Sequence, residues 1–281
     1  MKNRGLIELH FELLAPLSHI GESSGIDCFL NRQKMLINGE VEEIFVYNGN
    51  AIRGVLRDLI SSHLLEYKKA QVPLELFYLL FSGGNISGEQ KIDIKQSRDL
   101  RDKLPIISIF GGGTGNQILS GKIKVSDALI KSFETKNFLP ADCHDSCLNS
   151  WGEHLSYRHY TRFDDGKDFN KHKYIQNIDV IDDGKNKKSN EASMQMRYGV
   201  EVLVPGTKLY SKIFYNNLND IEFNCLMTAI SELINNPYLG GKSNVGLGEC
   251  NINVILNGDN VDDFSNYRNK YEEFLNEVEI C

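Results

Sequence analysis

Two amphipathic helical stretches, far apart in the chain and each set between strand-like alternations, constrain this sequence more than any other feature. In the first, roughly residues 50–69, Ile52, Val55, Leu56, Leu59, Ile60 and His63 recur at three- and four-residue steps, leaving Arg53, Arg57 and Asp58 on other faces. The second, 221–235, is announced by Asn219 with Glu222 three positions later, a capping-box start. Before the first helix, Ile7, Leu9, Phe11 and Leu13 alternate with Glu8, His10 and Glu12, the period of a strand with one buried face. GKIKVSDAL (121–129) reads as a strand, and 199–215 as two strands hinged at Pro205-Gly206. Cys250, Ile252, Val254 and Leu256 line one face of a last strand, and a charged helix closes the chain.

With the remaining segments set aside, the order is strand, helix, strand, strand, helix, strand. That is an α+β arrangement, the ferredoxin-like split βαβ plan also used by RRM-type RNA-binding domains. Between the two halves, 134–195 breaks the pattern with Asp/Gly turn clusters and the run GKNKKSN, and reads as an irregular insertion. Residues 20–46 read as mostly polar, 74–81 as a short buried helix, and 105–113 as an apolar segment stopping at three glycines. The expected organisation is a core from 1–133 and 196–258, an inserted segment 134–195 and an acidic C-terminal helix within 259–281. A chain of 281 residues can bury about three quarters of its unfolded surface, enough for such a core.

No apolar run approaches a membrane-spanning length, and the N-terminus lacks the apolar stretch of a secretory signal. The six cysteines show no disulfide framework. The expectation is a cytoplasmic protein with reduced thiols and no membrane partner. A net charge of −7 argues against a nucleic-acid partner until its distribution is considered. Residues 251–281 alone carry −5, so the remainder is close to balance.

The loop LGGKSNVGLGE places Gly240, Gly241, Gly246 and Gly248 around Lys242, Ser243 and Asn244, between the second helix and the last strand. Glycines let backbone N–H groups approach a phosphate, and one lysine completes an anion-binding concavity. The loop is not a Walker A motif, since its Gly-Lys-Ser leaves a helix rather than entering one. A helix C-cap and turn also want glycine, but four in nine residues exceed a cap's need. In NGNAIRGVLRDL the start of the first helix carries Asn50, Arg53 and Arg57, a pattern open to phosphate contact or to ordinary surface pairing.

Taken together, four blocks resemble the RAMP superfamily of CRISPR-associated proteins. They are the N-terminal strand with HIGESSGID, then NGNAIRGVLRDL, the strand pair around EVLVPGTKLY, and GGKSNVGLGE before the last strand. The wording is closest to type IV and type III-related subunits. The resemblance implies a modified ferredoxin-like (RRM-like) palm with irregular thumb and finger insertions, and a crRNA-binding backbone subunit of a class 1 effector complex. Such a subunit polymerises along the guide as a helical filament, with target nucleic acid and other effector subunits as partners. The residues it points to for RNA are His19, Ser23, Asn50, Arg53, Arg57, Gly240, Gly241, Lys242, Ser243 and Asn244. It also points to Arg158, Tyr160 and Arg162 of SYRHYTRF (156–163), read as a loop of stacking and cationic side chains.

Two further expectations carry chemistry. SGID matches the placement of an aspartate that in type III subunits supports metal-dependent target-RNA cleavage, so Asp27 is the candidate catalytic residue, with a divalent metal as its cofactor. Cys28-Phe29 departs from that family's continuation, and a solvent-exposed turn aspartate is the competing reading. The pattern C-x3-C-x6-H-x4-H offers Cys143, Cys147, His154 and His159 as ligands of a structural zinc, with His144 an alternative. Outside the family altogether, the glycine-rich loop on this plan also suits an enzyme binding a small phosphorylated ligand.

Overall fold

The computed structural model describes residues 2–84, 94–162 and 196–278. Phe163, GKNKKSN, the Asp/Gly turns around it and the last residues of the acidic tail lie outside them, as does the side chain of Arg162. The chain opens on β1 (Lys2–Leu13) and makes two hairpins, β2 (Ile20–Ser24) with β3 (Asp27–Leu30) and β4 (Arg32–Ile37) with β5 (Glu40–Tyr47). Helix α1 (Gly49–Lys68) follows, then α2 (Leu74–Phe81), α3 (Ile94–Lys103) and α4 (Pro105–Phe110). A small hairpin, β6 (Gly112–Thr114) and β7 (Gln117–Leu119), precedes β8 (Ile123–Val125) and β9 (Ala128–Ile130). Residues 136–154 run mostly through 3-10 turns into β10 (Leu155–Arg162). Then come β11 (Met196–Leu203), β12 (Lys208–Leu218), α5 (Asp220–Asn235), β13 (Cys250–Leu256), β14 (Asp259–Asn260) and α6 (Ser265–Glu277).

The large sheet runs β14-β13-β1-β12-β9-β5-β4, with β8 also on β12. Its centre, β13-β1-β12 and then β8/β9, is the antiparallel ferredoxin order, with α1 and α5 as the two helices. The alternation of β1 explains the packing: Ile7, Leu9, Phe11 and Leu13 are all at most 1% exposed, in one core with Ile52, Leu56 and Ile60 of α1 and Leu226 and Ile230 of α5. The capping box forms as expected. Asn219 Oδ1 accepts from the Glu222 N–H and Glu222 Oε2 from the Asn219 N–H, both at 2.8 Å. Lys122 pairs with the same carboxylate at 2.6 Å, which fixes the start of α5 to the β8 side of the palm. Helix α6 seats Tyr271 and Leu275 in this core, so the acidic segment is docked rather than free.

One local reading is filled in and two are corrected. Residues 20–46, polar in sequence, form four strands, β2–β5, and the polarity arises because β2 and most of β4 are exposed. GKIKVSDAL is two short strands broken at Ser126-Asp127, since Asp127 Oδ1 turns aside to accept from the Gly49 N–H at 2.7 Å. The described part of SYRHYTRF, SYRHYTR, is a strand, not a loop: β10 pairs with β11 in a second sheet of order β10-β11-β3-β2, in which β11 and β3 run parallel.

Candidate nucleic-acid interface

The glycine-rich loop, the segment after β1 and the start of α1 meet around one cleft of about 320 Å³. Ser18, His19, Ile20, Tyr47, Ala51, Val55, Gly240 and Gly241 line it. Ser18 holds the loop through its carbonyl, which accepts from the Gly241 N–H at 3.0 Å, while Tyr47 Oη accepts from the Gly240 N–H at 2.9 Å. His19 lies 4.4 Å from Tyr47 between ring centroids, and its Nε2 accepts from the Asn48 N–H at 3.3 Å. Burial lowers the His19 pKa, partly offset by the Asp127 carboxylate, so the ring is biased to its neutral form. The Ser18 hydroxyl is shielded and unpartnered.

The loop's glycines divide into two kinds. Gly240 has φ +73°, and a Cβ there would lie 2.2 Å from the Ser18 carbonyl oxygen, so the fold itself demands glycine. Gly241 is exposed and faces open space, and a Cβ added there would have no neighbour within 4 Å. Ser243 and Asn244 are exposed on the 3-10 turn that follows. Lys242 adopts φ +64° and sends its ammonium over Tyr160 and Tyr198, 5.1 and 4.7 Å from the ring centroids. Those two rings stack on each other across the β10–β11 pair at 5.3 Å. Leu247 completes the contact by packing with Val200 and Val202.

Strand alternation then sorts β10. Arg158 and Tyr160 fall on the face that meets the loop, opposite Val200 and Tyr198, whereas Tyr157 and His159 fall on the other. Neither Lys242 nor Arg158 has a carboxylate partner among the described residues. The result is two unneutralised cations on an aromatic face beside an open glycine backbone, an arrangement suited to a phosphate chain with stacked bases.

Arg53 and Arg57 are placed elsewhere. Their guanidinium groups donate to the Phe110 and Gly111 carbonyls, closing the C-terminus of α4, and Arg57 also lies over the Phe110 ring at 5.8 Å. Burial and the neighbouring Arg53 lower the Arg57 pKa to about 10. At 7% exposed, Arg57 is withdrawn from the surface, while Arg53 is half-buried. Asn50 is exposed at the first turn of α1. Ser23 sits on the outer strand β2, its hydroxyl 3.6 Å from Cys28 Sγ, outside the cleft.

Asp27 opens β3 in register with Gly199 and accepts from the Tyr157 hydroxyl, on the face away from Lys242. Desolvation and this carboxylate raise the Tyr157 pKa to about 12. The four expected zinc ligands are not brought together. Cys143 and Cys147 are neighbours in a buried cluster with Leu139 and Tyr210. His154 Nδ1 instead pairs with Thr207 Oγ1 at 3.1 Å, His159 is exposed on β10, and His144 Nε2 pairs with the Leu139 carbonyl. Local spacing misleads here because β10 carries His159 along a sheet edge, away from the turn that holds the thiols.

Sequence reasoning missed Ser18, Tyr47, Asp127 and Tyr198. Only Tyr198 left a signal, as an aromatic in register with the basic, aromatic run on β10.

The family model for the RAMP superfamily matches residues 36–251, leaving His19, Ser23 and Asp27 before the matched segment. Among solved structures, a chain from a "Type IV-B CRISPR Complex" superimposes with a TM-score of 0.64 at 18% identity, covering 89% of this chain and 90% of the other. At that identity the likeness is one of fold. No curated protein matches the sequence.

Proposed function

The chain belongs to the RAMP superfamily, and on that premise we propose that it is a crRNA-binding backbone subunit of a CRISPR effector complex. One observation carries the reading: Lys242 and Arg158, unpaired with any carboxylate among the described residues, share an aromatic face with the open backbone of Gly241. Phosphates would lie against the cations and the exposed turn at Ser243 and Asn244, and bases against the rings. Nothing in this chemistry reads base edges, so sequence selection falls to guide–target pairing. The similar fold of a type IV-B complex chain supports the assignment to such an assembly, with other subunits and further copies of this chain as partners along the guide.

Cleavage of a target through Asp27 is not part of this proposal. The carboxylate faces away from Lys242 and is engaged by Tyr157. A small phosphorylated ligand in the cleft is the competing occupant, and one titration separates the two. Fluorescence anisotropy with a single-stranded RNA should show binding that weakens with salt and weakens further in Lys242→Ala and Arg158→Ala. Saturable binding of a mononucleotide with no RNA binding would overturn the proposal.

A further inference from the structure

We propose that His10, Asp142 and Cys143, with Cys147 beside them, form a binding site for one zinc-like divalent transition-metal ion that pins the insertion to the palm sheet. His10 projects from the face of β1 opposite the core helices, in register with Tyr210 of β12, and its ring meets Tyr210 edge-on at 5.2 Å. Over it lies the 3-10 turn 141–146, carrying Asp142 and Cys143. One ligand atom from each of the three lies within 4.8 Å of the others. Tetrahedral zinc holds such ligands at about 2.0–2.3 Å, so closure needs the three to draw in by about 1 Å.

Three features distinguish this cluster from a chance meeting of polar side chains. Cys143 and Cys147 are 1% and 3% exposed, and the Cys147 thiol lies beside the cluster, donating to the Cys143 carbonyl at 3.3 Å. His10 Nε2 is shielded from solvent without a hydrogen-bond partner. A buried cation already sits in the cluster: Lys131, 7% exposed, puts its ammonium 3.0 Å from His10 Nδ1 and hydrogen-bonds Cys143. The ligand types are thiolate, imidazole and carboxylate, a borderline-soft set that suits zinc over magnesium or calcium. Binding through His10 Nε2 requires the ring proton at Nδ1, so Lys131 must let go of that nitrogen, and the thiol protons leave to solvent. The ammonium therefore opposes the metal by holding the ring in the other tautomer and by engaging Cys143. This set differs from the one local spacing suggests, because His10 comes from the other end of the palm.

Purified full-length protein, equilibrated with zinc and dialysed, should retain about one equivalent by atomic emission. Cobalt(II) should give a thiolate charge-transfer band. Replacing His10 with Gln or Cys143 with Ser should weaken metal binding by about 100-fold, and Lys131→Met should tighten it. His154→Ala and His159→Ala should bind as the parent does. Circular dichroism checks that each variant is folded, and Asp142→Asn, at an exposed residue, stands in for any that is not. Absence of metal from both the parent chain and Lys131→Met overturns the proposal, as does metal lost in the His154 or His159 variants but kept in His10→Gln.

Discussion

Replacing Gly241 with alanine separates the chemistry of the loop from its folding. At Gly241 a methyl group meets nothing within 4 Å and the backbone is not left-handed, so folding stability should stay within about 0.5 kcal/mol of the parent. Its neighbour is the control. In Gly240→Ala the new Cβ is forced 2.2 Å from the Ser18 carbonyl oxygen at φ +73°, and strain of this kind costs about 1–3 kcal/mol. Urea denaturation should therefore leave Gly241→Ala at the parental midpoint and shift Gly240→Ala downward. RNA binding should follow a different order. A methyl at position 241 keeps a phosphate from the neighbouring Lys242 and Ser243 N–H groups, and losing one such contact, about 1.4 kcal/mol, weakens Kd about tenfold. Anisotropy with a single-stranded RNA at fixed salt reads that change. Parental RNA affinity in folded Gly241→Ala would refute the assignment of this backbone to the ligand, and parental stability in Gly240→Ala would refute the packing argument.

Further outcomes follow from the core and its charges. His10, His19, His63 and His154 all have pKa values lowered by burial, so the unfolded chain takes up protons that the folded chain resists. Stability should fall as pH drops below about 6.5, by at most ~1.4 kcal/mol per pH unit for each histidine, and denaturation curves at several pH values check it. A pH-independent midpoint across that window would contradict the burial of these rings. Arg57→Met should destabilise the fold by about 1–3 kcal/mol by orphaning the Gly111 carbonyl, yet leave RNA affinity unchanged once folded. Tyr271→Ala empties a fully buried site under α6 and should cost about 3–5 kcal/mol by urea denaturation.

What the sequence makes legible is what depends on neighbours along the chain. The alternation of Ile7–Leu13, the helical stripe of α1 and the Asn219–Glu222 box each report a local period or spacing, and each recurs in the structure. The glycine-rich loop is legible for the same reason, as four glycines in a short run beside a lysine. Partners supplied across the fold are not. Nothing near Arg57 in sequence foretells the Gly111 carbonyl, and nothing near Cys143 foretells His10. Strand β10 is hidden because polar and aromatic side chains occupy both of its faces, which erases the alternation that marks a half-buried strand.

The central claim is that this chain holds a guide RNA through the Lys242 face. It is tested most directly by extracting nucleic acid from the protein purified after expression with a CRISPR array. The account predicts short RNA, sensitive to RNase and resistant to DNase, carried by the parent chain and sharply depleted in a folded Lys242→Ala/Arg158→Ala double variant. Protein that purifies free of RNA, or a double variant that carries as much as the parent, would contradict it.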